Sequence, residues 1–160
     1  MTPEGLRGSP FAAVVLTNAD VDHLAGLLSL RESSAFAIHA TPATLTILDQ
    51  PIFRVLNPDY VARVPIALDQ PFEPVPGLRV TAFAVPGKVA LYLEEGEPDT
   101  ALMGEQTVGL MLEAVGRRVF YVPGCARVTD DLLARLGGAD LLLFDGTVWA
   151  DDDMARSGTG

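Results

Sequence analysis

The sequence predicts an α/β protein with a mixed sheet, and three observations lead there. Strand-like and helix-like runs alternate over the first third of the chain, short β-rich runs broken by proline and glycine take over from residue 63, and a strand, a helix and a last strand follow. At 160 residues such a chain fits one domain, taken here as 1–160, with a core of ordinary size.

Each element has a local reason. "FAAVVLTN" is apolar on both alternating faces, as a strand covered on both sides would be. Val21, Leu24, Leu27 and Leu28 then recur at helical spacing, so the strand hands over to a helix at the segment "DVDH". "AFAIHA" reads as a second strand, and in "TPATLTILDQ" Thr41 can cap a helix whose first turn accepts Pro42. "RVPIAL", "LRVTAFAV" and "VALYLEE" read as short strands. "TVGLMLEAVGRRVFYV" reads as a hairpin turning near Gly116, and "TDDLLARLGG" as a helix capped by Thr129 and closed by glycine. "ADLLLFD" is the last strand, and the tail 151–160, "DDDMARSGTG", is expected to be mobile. No repeat of fixed period is present.

Composition narrows the partners. The net charge is −10, from 11 basic and 21 acidic side chains, and the basic ones are scattered apart from Arg117–Arg118. Nucleic acid and anionic membranes are therefore not expected partners, since both are bound through clustered Lys and Arg. A cation meets no such repulsion. No apolar run is long enough to cross a bilayer, the start lacks the basic-then-apolar pattern of a leader, and the one cysteine, Cys125, permits no intrachain disulfide. A soluble, cytoplasmic protein is the expectation.

Reactive groups in α/β proteins tend to stand where strands run out into loops. Four strand ends carry them here. In "TNADVDH", Asp20, Asp22 and His23 offer hard oxygen and intermediate nitrogen donors suited to Fe(II), Mn or Zn; equally, Asn18, Asp20 or Asp22 can accept backbone N–H bonds as a helix cap. In "FAVPGKVALYL", Lys88 follows a Pro-Gly turn and points either into a cavity or to water. In "FYVPGCARVT", Cys125 follows the same Val-Pro-Gly and is either a ligand or a small buried hydrophobe. In "LLLFDGTVW", Asp145 is either a functional carboxylate or part of an Asp-Gly turn. His39, inside a strand, reads as a partly exposed or hydrogen-bonded histidine, and Trp149 as a packing residue.

Taken together, "LTNADVDHLAGLLSLRE", "VPGKVALYLE", "TVGLMLEA", "YVPGCARVTD" and "ADLLLFDGTVWADDDM" resemble the metallo-β-lactamase superfamily and, within it, the family of B proteins of pyrroloquinoline quinone (PQQ) biosynthesis. These phrases run from residue 16 to 154. The resemblance implies an αββα sandwich with mixed sheets, of which this chain would hold the central portion. Hydrolases of the superfamily carry H-x-H-x-D-H in the turn, where this sequence has Asn18, Asp20, Asp22 and His23. Their Pro-Gly-His ligand position holds Lys88, and their bridging aspartate position holds Cys125. A lysine ammonium cannot coordinate and would repel a second dication, so one metal ion is expected rather than two.

The resemblance further implies metal ligation by Asp20, Asp22 and His23, with Asp145 a further ligand candidate. Lys88, Cys125 and Asp145 are the catalytic candidates, Lys88 pairing with a substrate carboxylate. The metal expected is Fe(II), with Zn or Mn as substitutes and dioxygen as co-substrate. The reaction expected is oxygenation of the tyrosyl ring of the cross-linked Glu–Tyr precursor of PQQ. A non-catalytic carrier of PQQ or its precursor, and a metal-dependent phosphodiesterase, are the other readings. Family members also carry earlier strands and a later Gly-His segment, so a nitrogen donor from outside these residues is expected. Uncovered sheet edges would favour a homo-oligomer.

Overall fold

The computed structural model describes residues 9–93, 102–146 and 156. Trp149 and the acidic stretch 151–153 lie outside the described residues, as does the tail except Arg156. Two sheets make up the frame. In the first, β1 (Ala13–Val15), β2 (Phe36–Ala40) and β3 (Val61–Pro65) run parallel in the order β1-β2-β3. Parallel neighbours need crossovers. These are supplied by α1 (Val21–Leu24), which runs on as a 3-10 turn over Ala25–Leu30, and by α2 (Pro42–Ile47), followed by a 3-10 turn over Pro51–Val55.

The second sheet has the order β4-β5-β6-β7-β8, with β4 (Pro71–Val75), β5 (Leu78–Ala84), β6 (Val108–Ala114) and β7 (Arg117–Val122) antiparallel. β8 (Leu141–Phe144) then pairs parallel to β7 after a crossover through α3 (Asp130–Leu136). Consequently β5, β7 and β8 all end on one edge of their sheet, and β6 begins there. Three apolar clusters show how the layers stack. Leu24, Leu27, Ile38, Leu48 and Phe53 join the first sheet to its helices. Val80, Ala82, Val108 and Leu110 meet Val15 between the sheets, and Phe83, Phe120 and Val122 pack on Leu132 and Leu136 of α3. The order helix, sheet, sheet, helix is the αββα sandwich that the resemblance implies.

Several local expectations hold for the reasons given. Thr41 Oγ1 accepts the N–H of Thr44, with Pro42 in the first turn, and Thr129 Oγ1 accepts the N–H of Leu132. The β6–β7 hairpin turns at Val115 and Gly116, with φ of 52° and 72°. Positive φ at both central residues defines the turn type whose twist suits a hairpin, a position glycine fills without strain and valine does not.

Others do not hold. The first strand is three residues long, and the fully buried stretch Leu16, Thr17, Asn18 and Ala19 lies after it, in the loop. The helix at "DVDH" tightens into 3-10 geometry after one turn, where the spacing Val21, Leu24, Leu27, Leu30 suits three residues per turn as well. "VALYLEE" forms no strand within its described part; Leu91–Leu93 is a 3-10 turn and Leu91 is 71% exposed. β4 is a strand the pattern does not announce, because Pro71 and Pro74 read as breakers while its place at the sheet edge tolerates them. Both faces of β8 stand open, each of Leu141, Leu142, Leu143 and Phe144 being exposed. Among the described residues no helix is long and apolar enough to cross a membrane.

His39 is buried rather than partly exposed. Its ring stacks on Phe72 at 5.2 Å and its Nδ1 has no hydrogen-bond partner. Burial holds this imidazole below its ordinary value of 6.5.

Two predictions follow from these features. Val115→Asn, which puts an Asn-Gly pair in the turn, is expected to raise the unfolding free energy by about 1 kcal/mol, read as a shift in urea midpoint at constant slope. For His39 the unfolded chain binds a proton at higher pH than the folded one, so protonation favours unfolding. Stability contributed by the neutral ring is complete above pH 6.5 and declines as pH falls below it toward the folded value. Melting temperatures of wild type and His39→Phe across that window are expected to diverge, the wild type falling more steeply on acidification.

Candidate metal-binding edge

The loops after β1, β5 and β7 meet around Thr107 at one edge of the sandwich, and β8 ends beside β7 at the same edge. Thr107 is buried immediately before β6, and the N–H of Val108 donates to the Thr17 carbonyl at 2.9 Å, tying the end of β1 in one sheet to the start of β6 in the other. Thr107 Oγ1 donates to the Lys88 carbonyl at 3.1 Å. Gly87 lies so close that a Cβ there would come within 2.8 Å of Thr107 Cβ and Oγ1. A Cβ on Gly124 would stand 3.7 Å from both Thr107 Cγ2 and Asn18 Nδ2. The two Val-Pro-Gly turns are joined directly by Ala126 N–H donating to the Pro86 carbonyl at 2.8 Å. Asp145 is drawn in by its N–H, which donates to the Val122 carbonyl at 2.8 Å.

Within that frame the turn before α1 is tightly specified. Asn18 is buried, and its Oδ1 accepts the N–H of Asp20 at 3.0 Å. Asp20 occupies the N-cap position with extended backbone, yet its carboxylate caps nothing; its carbonyl accepts the N–H groups of His23 and Leu24. The capping reading of this cluster is not realised at the N-cap of α1: Asn18 closes a local turn on Asp20 ahead of the helix, and Asp20 caps nothing with its side chain. His23 is oriented by Thr17, whose Oγ1 lies 3.2 Å from Nδ1. With the ring proton on Nδ1 that contact is a hydrogen bond to Thr17, and Nε2 keeps its lone pair. Nε2 lies 3.9 Å from an oxygen of Asp22, whose side chain is 85% exposed, while that of His23 is 21% exposed.

The remaining candidates stand around the turn. Lys88 is exposed. Cys125 is half-buried and its Sγ donates to the Arg127 carbonyl at 3.1 Å. Burial pushes this thiol up, and the nearby charge of Asp145 adds to the rise, so the uncharged form is favoured. Tyr92, hidden from the sequence reading inside an expected strand, donates its hydroxyl to the Ala19 carbonyl at 2.8 Å. Burial, and then the charge of Asp20, raise its phenol above the ordinary range. Thr17 and Thr107 were equally invisible, being uncharged residues whose partners lie elsewhere on the edge.

One imidazole nitrogen and one carboxylate side by side, with a second carboxylate two residues earlier, are donors of the kind a divalent ion takes. They fit part of such a site. Among the described residues no three or more His, Cys, Asp or Glu side chains gather closely enough to hold an ion by themselves.

The family described as Beta-lactamase superfamily domain matches residues 2–159, and the chain belongs to it. Its fold is the metallo-β-lactamase fold. Within that superfamily the chain is 62% identical over 157 residues to the Coenzyme PQQ synthesis protein B of Methylobacterium sp. (strain 4-46), a match covering 98% of this chain and 52% of that protein. The Coenzyme PQQ synthesis protein B of Rhizobium meliloti (strain 1021) is 56% identical over 161 residues, covering 100% of this chain and 53% of the relative. The crystal structure of Zn(2+)-bound PqqB from Methylobacterium extorquens superposes with a TM-score of 0.93 at 58% identity, covering 100% of this chain and 54% of that one. The chain thus spans about half the length of the curated relatives it matches.

The packing around Thr107 yields a test. Gly87→Ala forces its new methyl group against the buried Thr107, just ahead of β6, and is expected to cost about 1–3 kcal/mol in denaturant unfolding. Gly124→Ala, which meets only ordinary contact distances, is expected to cost distinctly less.

Proposed function

We propose that this chain serves PQQ biosynthesis by supplying the metal-binding turn and substrate-facing loops of an iron-dependent oxygenase that acts on the tyrosyl ring of the cross-linked Glu–Tyr precursor. The observation that carries the reading is the turn itself. In a chain similar throughout to PQQ synthesis B proteins, His23 Nε2 and the Asp22 carboxylate stand 3.9 Å apart at the end of β1, with Lys88 rather than a histidine on the neighbouring turn. Association with PQQ biosynthesis is supported by the names of the relatives, and a bound metal by the zinc in the Methylobacterium extorquens PqqB structure.

Asp22 and His23, which stand side by side, would begin the site, Asp20 would turn in to join them on the ion, and a further nitrogen donor would come from outside the described residues. When bound, an iron centre of mixed carboxylate and imidazole ligation supplies open positions where dioxygen and substrate meet. The chain's own residues do the rest. Thr17 holds the aim of the His23 ring through its Nδ1. The Lys88 ammonium offers the precursor's carboxylates a counter-charge at the rim, against a protein otherwise acidic. Cys125, held as a thiol, and Asp145 stand near each other beyond the ends of β7 and β8. For each hydroxylation one oxygen atom enters a ring C–H bond, and the other leaves as water with two protons and two electrons from an added reductant.

The test uses the complete protein incubated with Fe(II), a reductant, dioxygen and the cross-linked Glu–Tyr peptide, followed by mass spectrometry. A substrate heavier by one or more oxygen atoms is expected, with no gain for the Asp22→Ala, His23→Ala double variant. Substrate returned at its original mass, but retained on the protein, would instead favour a carrier. Two metal ions per chain with cleavage of a phosphodiester would favour a hydrolase.

A further inference from the structure

The peptide unit between Ala19 and Asp20 is held at both ends. Its carbonyl oxygen accepts the hydroxyl of Tyr92 at 2.8 Å, and its N–H donates to Asn18 Oδ1 at 3.0 Å. A peptide unit is planar and stiff, so bonds at its two poles fix its rotation about the chain axis. That rotation, together with the φ of −61° at Asp20, sets the direction in which the Cα–Cβ bond of Asp20 leaves the backbone. The Asp20 side chain itself makes no capping bond that would otherwise orient it. Asn18 is the expected local partner, two residues away. Tyr92 is not local: it lies 73 residues further along, on a 3-10 turn that contributes no strand, and is half-exposed. Packing alone does not explain a side chain reaching out of such a turn to one carbonyl.

We infer that Tyr92 is a positioning residue for the metal site, acting through the Ala19–Asp20 peptide to aim the Asp20 carboxylate. The inference rests on the reading of Asp20, Asp22 and His23 as ligands and adds to it a residue outside the ligand set. It also assigns the segment after the first Val-Pro-Gly turn a role in metal affinity that neither its charge nor its exposure suggests.

A double-mutant cycle read by Zn(2+) titration of the complete protein separates the two claims. Tyr92→Phe keeps the ring and removes only the hydroxyl. It is expected to lower Zn(2+) affinity about 10-fold, within the range typical of residues that orient ligands. In an Asp20→Ala background the same change is expected to have an effect of less than about 2-fold, because the group being aimed is gone. In the Co(2+)-loaded protein, Tyr92→Phe is expected to alter the visible absorption bands at saturating metal.

Equal losses in both backgrounds would overturn the inference, since they would mark a general structural effect. So would an unchanged affinity in Tyr92→Phe where His23→Ala weakens binding. If His23→Ala and Asp20→Ala both leave the affinity of wild type intact, or if wild type binds no Zn(2+), the ligand assignment itself fails and takes the inference with it. Melting curves of each variant without metal show that the fold persists.

Discussion

The contact on which the edge depends is the one between Thr107 and its neighbours. Two sheets that stack face to face share apolar surface, which is non-directional and does not by itself fix one sheet's loops against the other's. The Val108–Thr17 hydrogen bond and the tight seat of Gly87 on Thr107 supply the missing direction. Through them the turn after β1, in the parallel sheet, is held at a defined distance from the Val-Pro-Gly turns of the antiparallel sheet. Only the first of those turns needs its glycine for lack of room. Gly87 has no room for a Cβ, whereas Gly124 faces Asn18 and Thr107 at ordinary contact distance. A site assembled from both sheets can therefore be stiff although each contributing segment is irregular.

Charge decides what that stiff edge can hold. The turn before α1 concentrates Asp20, Asp22 and one imidazole, and it sits in a protein of net charge −10. A single dication placed there would neutralise part of a local excess of negative charge. The neighbouring turn presents Lys88 where the resemblance to two-metal hydrolases calls for a ligand. An ammonium brings no lone pair and adds repulsion toward a second cation. In the proposed reading the same ammonium would suit an acidic substrate, so one change would serve against a second ion and for a carboxylate-bearing ligand.

Sequence pattern made the layers legible and the edge only partly so. Elements whose reasons are local read correctly: Thr41 and Thr129 as caps, and the hairpin at Gly116. Elements whose reasons are tertiary do not. Pro71 and Pro74 look like breakers until β4 is known to lie at an edge, and "VALYLEE" alternates like a strand while its middle turns outward. The donors in "DVDH" were visible because carboxylates and imidazoles advertise chemistry by type. Thr17, Thr107 and Tyr92 were not, because an uncharged hydroxyl becomes informative only when its partner is known, and these partners lie six, nineteen and 73 residues away.

The three candidate donors differ in how far the fold has prepared them. His23 is fixed by a hydrogen bond to its ring and is mostly covered, and the backbone that carries Asp20 is locked at the preceding peptide. The Asp22 side chain, 85% exposed, is set by none of the bonds that hold its neighbours. Ordering a free carboxylate on an ion costs conformational entropy, whereas a preset imidazole costs little. If the edge holds an ion as proposed, its affinity is governed by the two preset positions, and Asp22 is the donor free to follow the ion. In the proposed site, a donor set graded in this way would bind a metal without closing around it, the property that separates a reactive site from a structural one.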